Sequence, residues 1–378
     1  MSSRRDFLRS LGIGTAVATA ASGSSQSLCA ALVQDTTPGE TDHVIHLERN
    51  ENPYGPSRRT AEAIRRASTL ANRYPLAAND LIGNIARLHG VKSEQVILGC
   101  GSTEILRVAA QAFLGPKKKL LQGSPAFDAL GFYARSVQAE VISLPLTHDY
   151  SHDLASMAGR TTGSTMLVYI CNPNNPTGSI TPRKAIEEFI RKLPAGVLVL
   201  IDEAYHHYAG ESSMYASFID HPLESERVIV TRTFSAVYGL AGLRLGYGIA
   251  SSKLAEQMRA FCTFDSVNTV ALHAAIEALA DTEAVQTFIK RNADDRQEFF
   301  NQAMARMLKP IDSHTNFVMM NTNRSAKEVI EHFRQHGVII GPFLVGMDTY
   351  VRVSLGTPSE MGQFWQVWDR LPKAEMQM

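Results

Sequence analysis

Five places in the chain put chemically capable side chains directly behind short apolar runs. Val96-Ile97-Leu98 leads into Gly99-Cys100-Gly101-Ser102-Thr103-Glu104. A glycine turn with hydroxyls at a helix start is a cradle for an anion; it is also the pattern of an ordinary helix N-cap. Leu120-Leu121 leads into Ser124-Pro125-Ala126-Phe127. Phe127 could stack on a planar ring or pack in the core. Ile170 leads into Cys171-Asn172-Pro173-Asn174-Asn175-Pro176-Thr177-Gly178. Turn chemistry explains the Pro and Gly, and three asparagines suggest a fixed amide offered to a ligand. The run Val197 to Ile201 ends on Asp202-Glu203-Ala204-Tyr205. An acid there is costly to bury unless it meets a cation, and Tyr205 adds a phenol. The run Arg227 to Thr231 leads into Thr233-Phe234-Ser235-Ala236-Val237-Tyr238-Gly239, with Arg244 beyond. Thr233, Ser235 and Arg244 could grip one phosphate, the hydroxyls by hydrogen bonds and the guanidinium by a bidentate charge contact.

These sites need elements to hold them. Strands are predicted at Val96–Leu98, Leu120-Leu121, Met166–Ile170, Val197–Ile201 and Arg227–Thr231. Helices are predicted between them, at Glu104–Phe113, Phe127–Val137 and Pro182–Leu193, and another begins at Pro56-Ser57 with Ala61, Ile64 and Ala67 on its face. Such alternation is the pattern of an α/β domain with a parallel sheet, whose ligands sit at the carboxyl ends of the strands. After about residue 265 the texture changes. Helices are expected at Val270–Leu279 and Glu283–Leu308. A smaller α+β region follows, with strands at Phe317–Met320, Val338–Ile340 and Tyr350–Ser354 and a helix near Ala326–His336.

Composition sets the outer bounds. The chain has 378 residues, 37 basic and 37 acidic, with 44% hydrophobic and 20% charged. That is globular composition, which excludes a disordered, collagen-like or coiled-coil protein. The neutral balance gives no footprint for nucleic acid. Cys29, Cys100, Cys171 and Cys262 are too scattered for a disulfide framework, and no Cys-x-x-Cys pair suggests a metal site. No apolar run approaches the length of a membrane span in the mature chain. Residues 1–30 have the order of an export signal: Ser3-Arg4-Arg5-Asp6-Phe7-Leu8, an apolar Leu11–Ala21, then small residues around Cys29-Ala30. The paired arginines followed by Phe and Leu resemble a twin-arginine signal. The expected location is periplasmic; a basic amphipathic N-terminal helix is the alternative. Residues 31–43 read as a polar leader.

Taken together and in order, with Asn50-Glu51-Asn52-Pro53-Tyr54-Gly55-Pro56, these strings resemble the fold-type I pyridoxal-phosphate aminotransferases, closest to the histidinol-phosphate aminotransferase branch. The resemblance runs from about Leu47 to Thr357. It implies an N-terminal arm over 31–60 and a large cofactor-binding domain over 61–268 with a mostly parallel seven-stranded sheet. A small α+β domain over 269–378 completes it. It also implies roles. Asp202 would pair with the pyridinium nitrogen of pyridoxal 5'-phosphate. Asn175 and Tyr205 would bond the ring's phenolic oxygen, and Phe127 would stack on the ring. Gly101, Ser102, Thr103, Thr233, Ser235 and Arg244 would hold the phosphate. Tyr54 would reach the phosphate of a neighbouring subunit's cofactor, which implies a homodimer. Arg352, with Asn52 and Asn175, would bind the substrate's acidic group. The partners implied are an L-amino acid, or an amino-alcohol phosphate, and a 2-oxo acid.

Two positions depart from that pattern. The family carries a lysine eight residues before the phosphate-binding arginine; here the position is Ala236. That lysine anchors the cofactor covalently and then moves a proton during amino transfer. Alanine does neither. Three readings follow: a natural non-catalytic protein that binds the cofactor or its amino-acid adduct, an engineered Lys→Ala change that traps substrate, or an enzyme using Tyr54, Tyr205, His206 or His207 as its base. The second departure is Gly341, in Val338-Ile339-Ile340-Gly341-Pro342, where the branch usually carries an arginine for substrate phosphate. Histidinol phosphate is therefore a poor expected substrate, and export also fits histidine biosynthesis badly. A nucleotide-binding oxidoreductase is disfavoured, because the turn at Gly99 lacks the three-glycine spacing.

Overall fold

The computed structural model describes residues 44–372 apart from 224. The export signal and the polar leader lie outside the described residues. Twelve strands run in chain order among them. They are β1 (Ile45–Leu47), β2 (Val96–Gly99), β3 (Lys119–Ser124), β4 (Glu140–Pro145), β5 (Thr165–Cys171) and β6 (Leu198–Asp202). Then come β7 (Val228–Thr233), β8 (Gly246–Ile249), β9 (Lys309–Pro310), β10 (Phe317–Asn321), β11 (Val338–Ile340) and β12 (Tyr350–Ser354).

Seven strands form one sheet in the order β2-β8-β7-β6-β5-β3-β4. Every adjacent pair from β7 to β4 is parallel, and only β8 runs against its neighbours. The central strands are buried on both faces because their runs are continuously apolar. Ile170, Ile201 and Val230 pack with one buried cluster, and Leu167, Tyr169, Leu200 and Ile229 with another, so the sheet separates two apolar layers. A third cluster joins Phe299, Phe333, Phe364 and Trp365 to the β12-β10-β9 sheet and the parallel β1-β11 pair.

The expected strands and helices are present, with shifted ends. The helix expected from Phe127 is Ala129–Ser136, which leaves Phe127 in the loop after β3. The helix expected to run to Leu308 is Thr282–Ala305. It stops because Met307 takes the left-handed region at φ 57°, which turns the chain so that Leu308 N–H bonds the Ala303 carbonyl. Strands β1, β4 and β8 and the helices Ala78–His89, Leu154–Arg160, Ser252–Arg259 and Pro358–Asp369 were not expected. Strand β8, Gly-Tyr-Gly-Ile, hides behind its glycines, and those glycines are there for space. A side chain at Gly246 would strike the Ser102 backbone, with Ser102 Cα only 2.7 Å away; one at Gly248 would meet Ile105 at 2.8 Å.

Candidate active site

The carboxyl ends of β2, β3, β5, β6 and β7 share one rim of the sheet, because these strands are parallel. Register fixes the neighbours: Cys171 stands beside Asp202, and Asp202 beside Thr231. Loops leaving that rim carry the candidate residues read from the sequence.

On one side lies an anion cradle. Gly101, at φ 77°, turns the chain into the helix Ser102–Phe113. The N–H groups of Ser102 and Thr103 belong to the helix's first turn, which has no partners of its own. Arg244 closes the cradle: its guanidinium lies where a Gly101 side chain would stand, with Cζ 3.1 Å from that point and Thr103 Oγ1 at 3.3 Å. Arg244 Nη1 donates to Ser235 Oγ at 3.2 Å and to the Ala241 carbonyl at 2.9 Å. Thr233 Oγ1 accepts from Ser235 N–H at 3.0 Å. Gly101, Ser102, Thr103, Ser235 and Arg244 thus come from two connections, after β2 and between β7 and β8, to one place.

Asp202 is buried at the end of β6. Tyr169 Oη donates to its Oδ2 at 2.9 Å and Ala204 N–H to its Oδ1 at 3.1 Å. Burial outweighs these bonds and raises its carboxyl to about 6. No protein cation pairs with it among the described residues. A buried carboxylate of this kind suits a cationic ring N–H, and the cradle suits a phosphate, so the residues fit a phosphorylated pyridine. Phe127 is half-buried at the mouth of the β3 loop.

Tyr205 and Arg352 are joined through Asn175. Tyr205 Oη accepts from Asn50 Nδ2 at 2.9 Å and from Asn175 Nδ2 at a longer 3.5 Å. Asn175 Oδ1 accepts from Arg352 Nη1 at 2.8 Å. Arg352 Nη2 donates to the Glu48 carbonyl at 2.6 Å, and its Nε is buried without a partner. The guanidinium is therefore held from two sides with three of its five N–H groups unspent, the buried Nε–H among them. Gly341 makes room for it: a side chain there would stand 2.7 Å from the Arg352 carbonyl oxygen.

Two expected ligand contacts have other partners in this chain. Tyr54 Oη donates to Asp295 Oδ2 at 2.8 Å, and Arg291 lies over its ring. Asn52 Nδ2 donates to the Val237 carbonyl at 3.0 Å, pinning the N-terminal arm to the turn that holds Ala236. Ala236 itself is buried, 3% exposed. None of the described lysines is buried. Lys118 and Lys119 sit at the start of β3, where they bond the Phe113 carbonyl and Glu140, at the opposite end of the strand from the rim. The other candidate bases are poorly placed or poorly tuned. Burial and the nearby Arg232 charge push His207 down to about 3 and His206 lower still. Burial holds Tyr205 up at about 12.

Sequence reading missed several residues. Tyr169 and Asn50 support Asp202 and Tyr205; a lone Tyr in an apolar strand was the available signal for the first. Glu203, next to Asp202, points the other way. Its carboxylate meets buried Arg232 at 3.1 Å, Ser217 Oγ at 2.7 Å and Phe218 N–H at 2.7 Å. Arg232 also reaches Asp220 at 2.9 Å, and His89 lies 2.9 Å from both Asp220 and Tyr247.

A seven-stranded, mostly parallel sheet with an anion cradle, a buried carboxylate and an arginine clamp at one rim defines a fold-type I pyridoxal-phosphate-type scaffold. The sequence model of the family described as aminotransferase class I and II matches residues 42–367, and the chain belongs to that family. A histidinol-phosphate aminotransferase of Moorella thermoacetica is 36% identical over 316 residues, 83% of this chain and 82% of the relative. An aromatic amino acid aminotransferase of Cutibacterium acnes is 32% identical over 323 residues, 84% of this chain and 90% of the relative. The crystal structure of a histidinol-phosphate aminotransferase from Sinorhizobium meliloti, in complex with pyridoxal-5'-phosphate, superposes with a TM-score of 0.80 at 26% identity. It covers 87% of this chain and 92% of its own. The resemblance read from the motifs, including its histidinol-phosphate branch, is the one these comparisons show.

Proposed function

We propose that this protein binds pyridoxal 5'-phosphate without a covalent link and holds it together with an amino acid, with slow amino transfer at most. The observation that carries the reading is the buried Ala236 in an otherwise assembled site with no buried lysine among the described residues. Bound there, the cofactor supplies an electron sink for bonds at the amino acid's α-carbon. The chain's own residues supply the rest. Ser102, Thr103, Ser235 and Arg244 grip the phosphate. Asp202 keeps the ring nitrogen protonated. Arg352 and Asn175 orient the substrate carboxylate. What is missing is a group that moves a proton at the α-carbon, and loss of general acid–base catalysis alone costs roughly 10²–10⁴ in rate.

Gly341 supports a substrate without a phosphate, because Arg352 occupies the space over it. The reaction class is that of the family, between an L-amino acid and a 2-oxo acid. A homodimer is supported by exposed apolar groups: Tyr74, Leu76 and Phe264 are 79%, 89% and 97% exposed. The twin-arginine pattern of residues 1–30 supports a periplasmic location, which fits a binding protein for amino acids better than a biosynthetic enzyme. Dialysis of cofactor-loaded protein tests the reading. The cofactor is expected to leave the wild-type protein and to stay on the Ala236→Lys variant; retention by both after borohydride reduction and denaturation would show a covalent link through another residue and refute it.

A further inference from the structure

Asn50 lies 7% exposed in the left-handed region at φ 57°, a conformation uncommon for any residue but glycine and tolerated by Asn. All its polar groups are engaged. Its N–H donates to Ser354 Oγ at 2.8 Å, and its carbonyl accepts from Asn316 Nδ2 at 2.8 Å. Its Oδ1 accepts from the Ser354 hydroxyl at 3.2 Å, and its Nδ2 donates to Tyr205 Oη at 2.9 Å. Ser354 donates its one proton to Asn50 Oδ1 while its oxygen accepts from Asn50 N–H. The amide is thereby locked with its NH₂ toward Tyr205. Asn175 is locked the same way. Its Oδ1 is taken by Arg352, so its NH₂ also faces Tyr205. A phenol oxygen has two acceptor positions and one proton. Both acceptor positions are filled, and among the described residues Tyr205 has no acceptor for its proton.

We propose that Asn50 is a positioning residue that fixes Tyr205 as a hydrogen-bond donor into the pocket and ties that donor, through Ser354, to the strand of Arg352. The proposal rests on the cofactor reading above, in which the acceptor is the ring's phenolic oxygen. A donor aimed at that oxygen favours its ionised form. Asn50→Asp keeps the shape but offers Tyr205 an acceptor, so the phenol's proton turns back toward residue 50.

The test is a pH titration of pyridoxal phosphate bound to the whole protein, followed by absorbance. Tyr205→Phe is expected to raise the midpoint of ring-phenol ionisation by about one pH unit, a tenfold change. Asn50→Asp is expected to raise it comparably, and to add little in a Tyr205→Phe background. Ser354→Ala frees the Asn50 amide to rotate and is expected to give a smaller rise; it also leaves the buried Asn50 N–H without its partner, so the melting temperature is expected to fall. A wild-type midpoint in Asn50→Asp, or full additivity with Tyr205→Phe, would overturn the proposal even if stability fell. Should Asn50→Asp not fold, an unshifted midpoint in Ser354→Ala overturns it. Wild-type protein that binds no pyridoxal phosphate would overturn the functional reading first, and this proposal with it.

Discussion

Arg352 Nη1 donates to Asn175 Oδ1 at 2.8 Å across 177 residues of sequence. This bond joins the β12 strand to the loop after β5, so the Arg352 guanidinium and the amide beside Tyr205 are held together. Lysine at 352 keeps the charge but loses the planar fork. Arg352→Lys is expected to weaken amino-acid binding to the cofactor-loaded protein about 10- to 100-fold, the value of one or two charge-assisted hydrogen bonds. Cofactor affinity should change little. Titration of the absorbance change with an L-amino acid measures both.

Gly341 sets where that arginine lies. A methyl group there would stand 2.7 Å from the Arg352 carbonyl oxygen and 3.2 Å from its Nε. Gly341→Ala is expected to displace Arg352 and lower amino-acid affinity about tenfold, with a loss of stability of about 1–3 kcal/mol from overpacking. Unchanged affinity would show that Arg352 is positioned from elsewhere.

The pH dependence of the cofactor-free protein follows from Asp202. Burial raises its folded carboxyl from 3.8 to about 6. Its neutral form is the one the fold prefers, so its contribution is fully present below about pH 4 and is lost as pH rises through 6. The difference amounts to roughly 3 kcal/mol at most. Asp202→Asn is expected to stabilise the cofactor-free protein at pH 7 and to flatten this window. Its affinity for pyridoxal phosphate should fall, because the ring N–H loses its anion. Urea melts at pH 4.5 and 7.5 measure the first effect. A stability profile that falls as strongly in Asp202→Asn as in wild type would assign the slope to other groups.

The Glu203–Arg232 pair carries stability rather than chemistry. Glu203 and Arg232 are 1% and 4% exposed, and Ser217 and Asp220 complete their bonds. Removing the Glu203 charge leaves buried Arg232 with Asp220 as its ion-pair partner. Glu203→Gln is expected to cost about 1.5–3 kcal/mol in urea unfolding, the value of a hydrogen bond to a charged group, while the cofactor spectrum of the folded fraction stays unchanged. A shifted spectrum would place Glu203 in the site.

The sheet rim was legible because each central strand is a continuous apolar run that stops at turn residues. Five such stops gave the loops that carry Ser102, Phe127, Asn175, Asp202 and Ser235. Edge strand β4 and glycine-rich β8 lacked that contrast and stayed hidden. Side-chain partners were less readable. Asp202 and Glu203 are adjacent in sequence, yet one faces the site and the other a buried arginine, a separation set by the strand's alternation. The motif implied ligand contacts for Tyr54, at a neighbouring subunit's cofactor, and for Asn52; within this chain Tyr54 bonds Asp295 and Asn52 bonds the Val237 carbonyl. Those pairings span 241 and 185 residues, and no local pattern encodes them.

In the proposed function, Ala236 leaves a binding site without its proton carrier. The most direct measurement is the absorbance spectrum of the cofactor-loaded protein before and after L-amino acids are added, for wild type and Ala236→Lys in parallel. Wild type is expected to form a stable amino-acid complex that does not convert to pyridoxamine phosphate. Ala236→Lys is expected to convert, at least about 10²-fold faster. Conversion by wild type at the rate of the lysine variant would contradict the account.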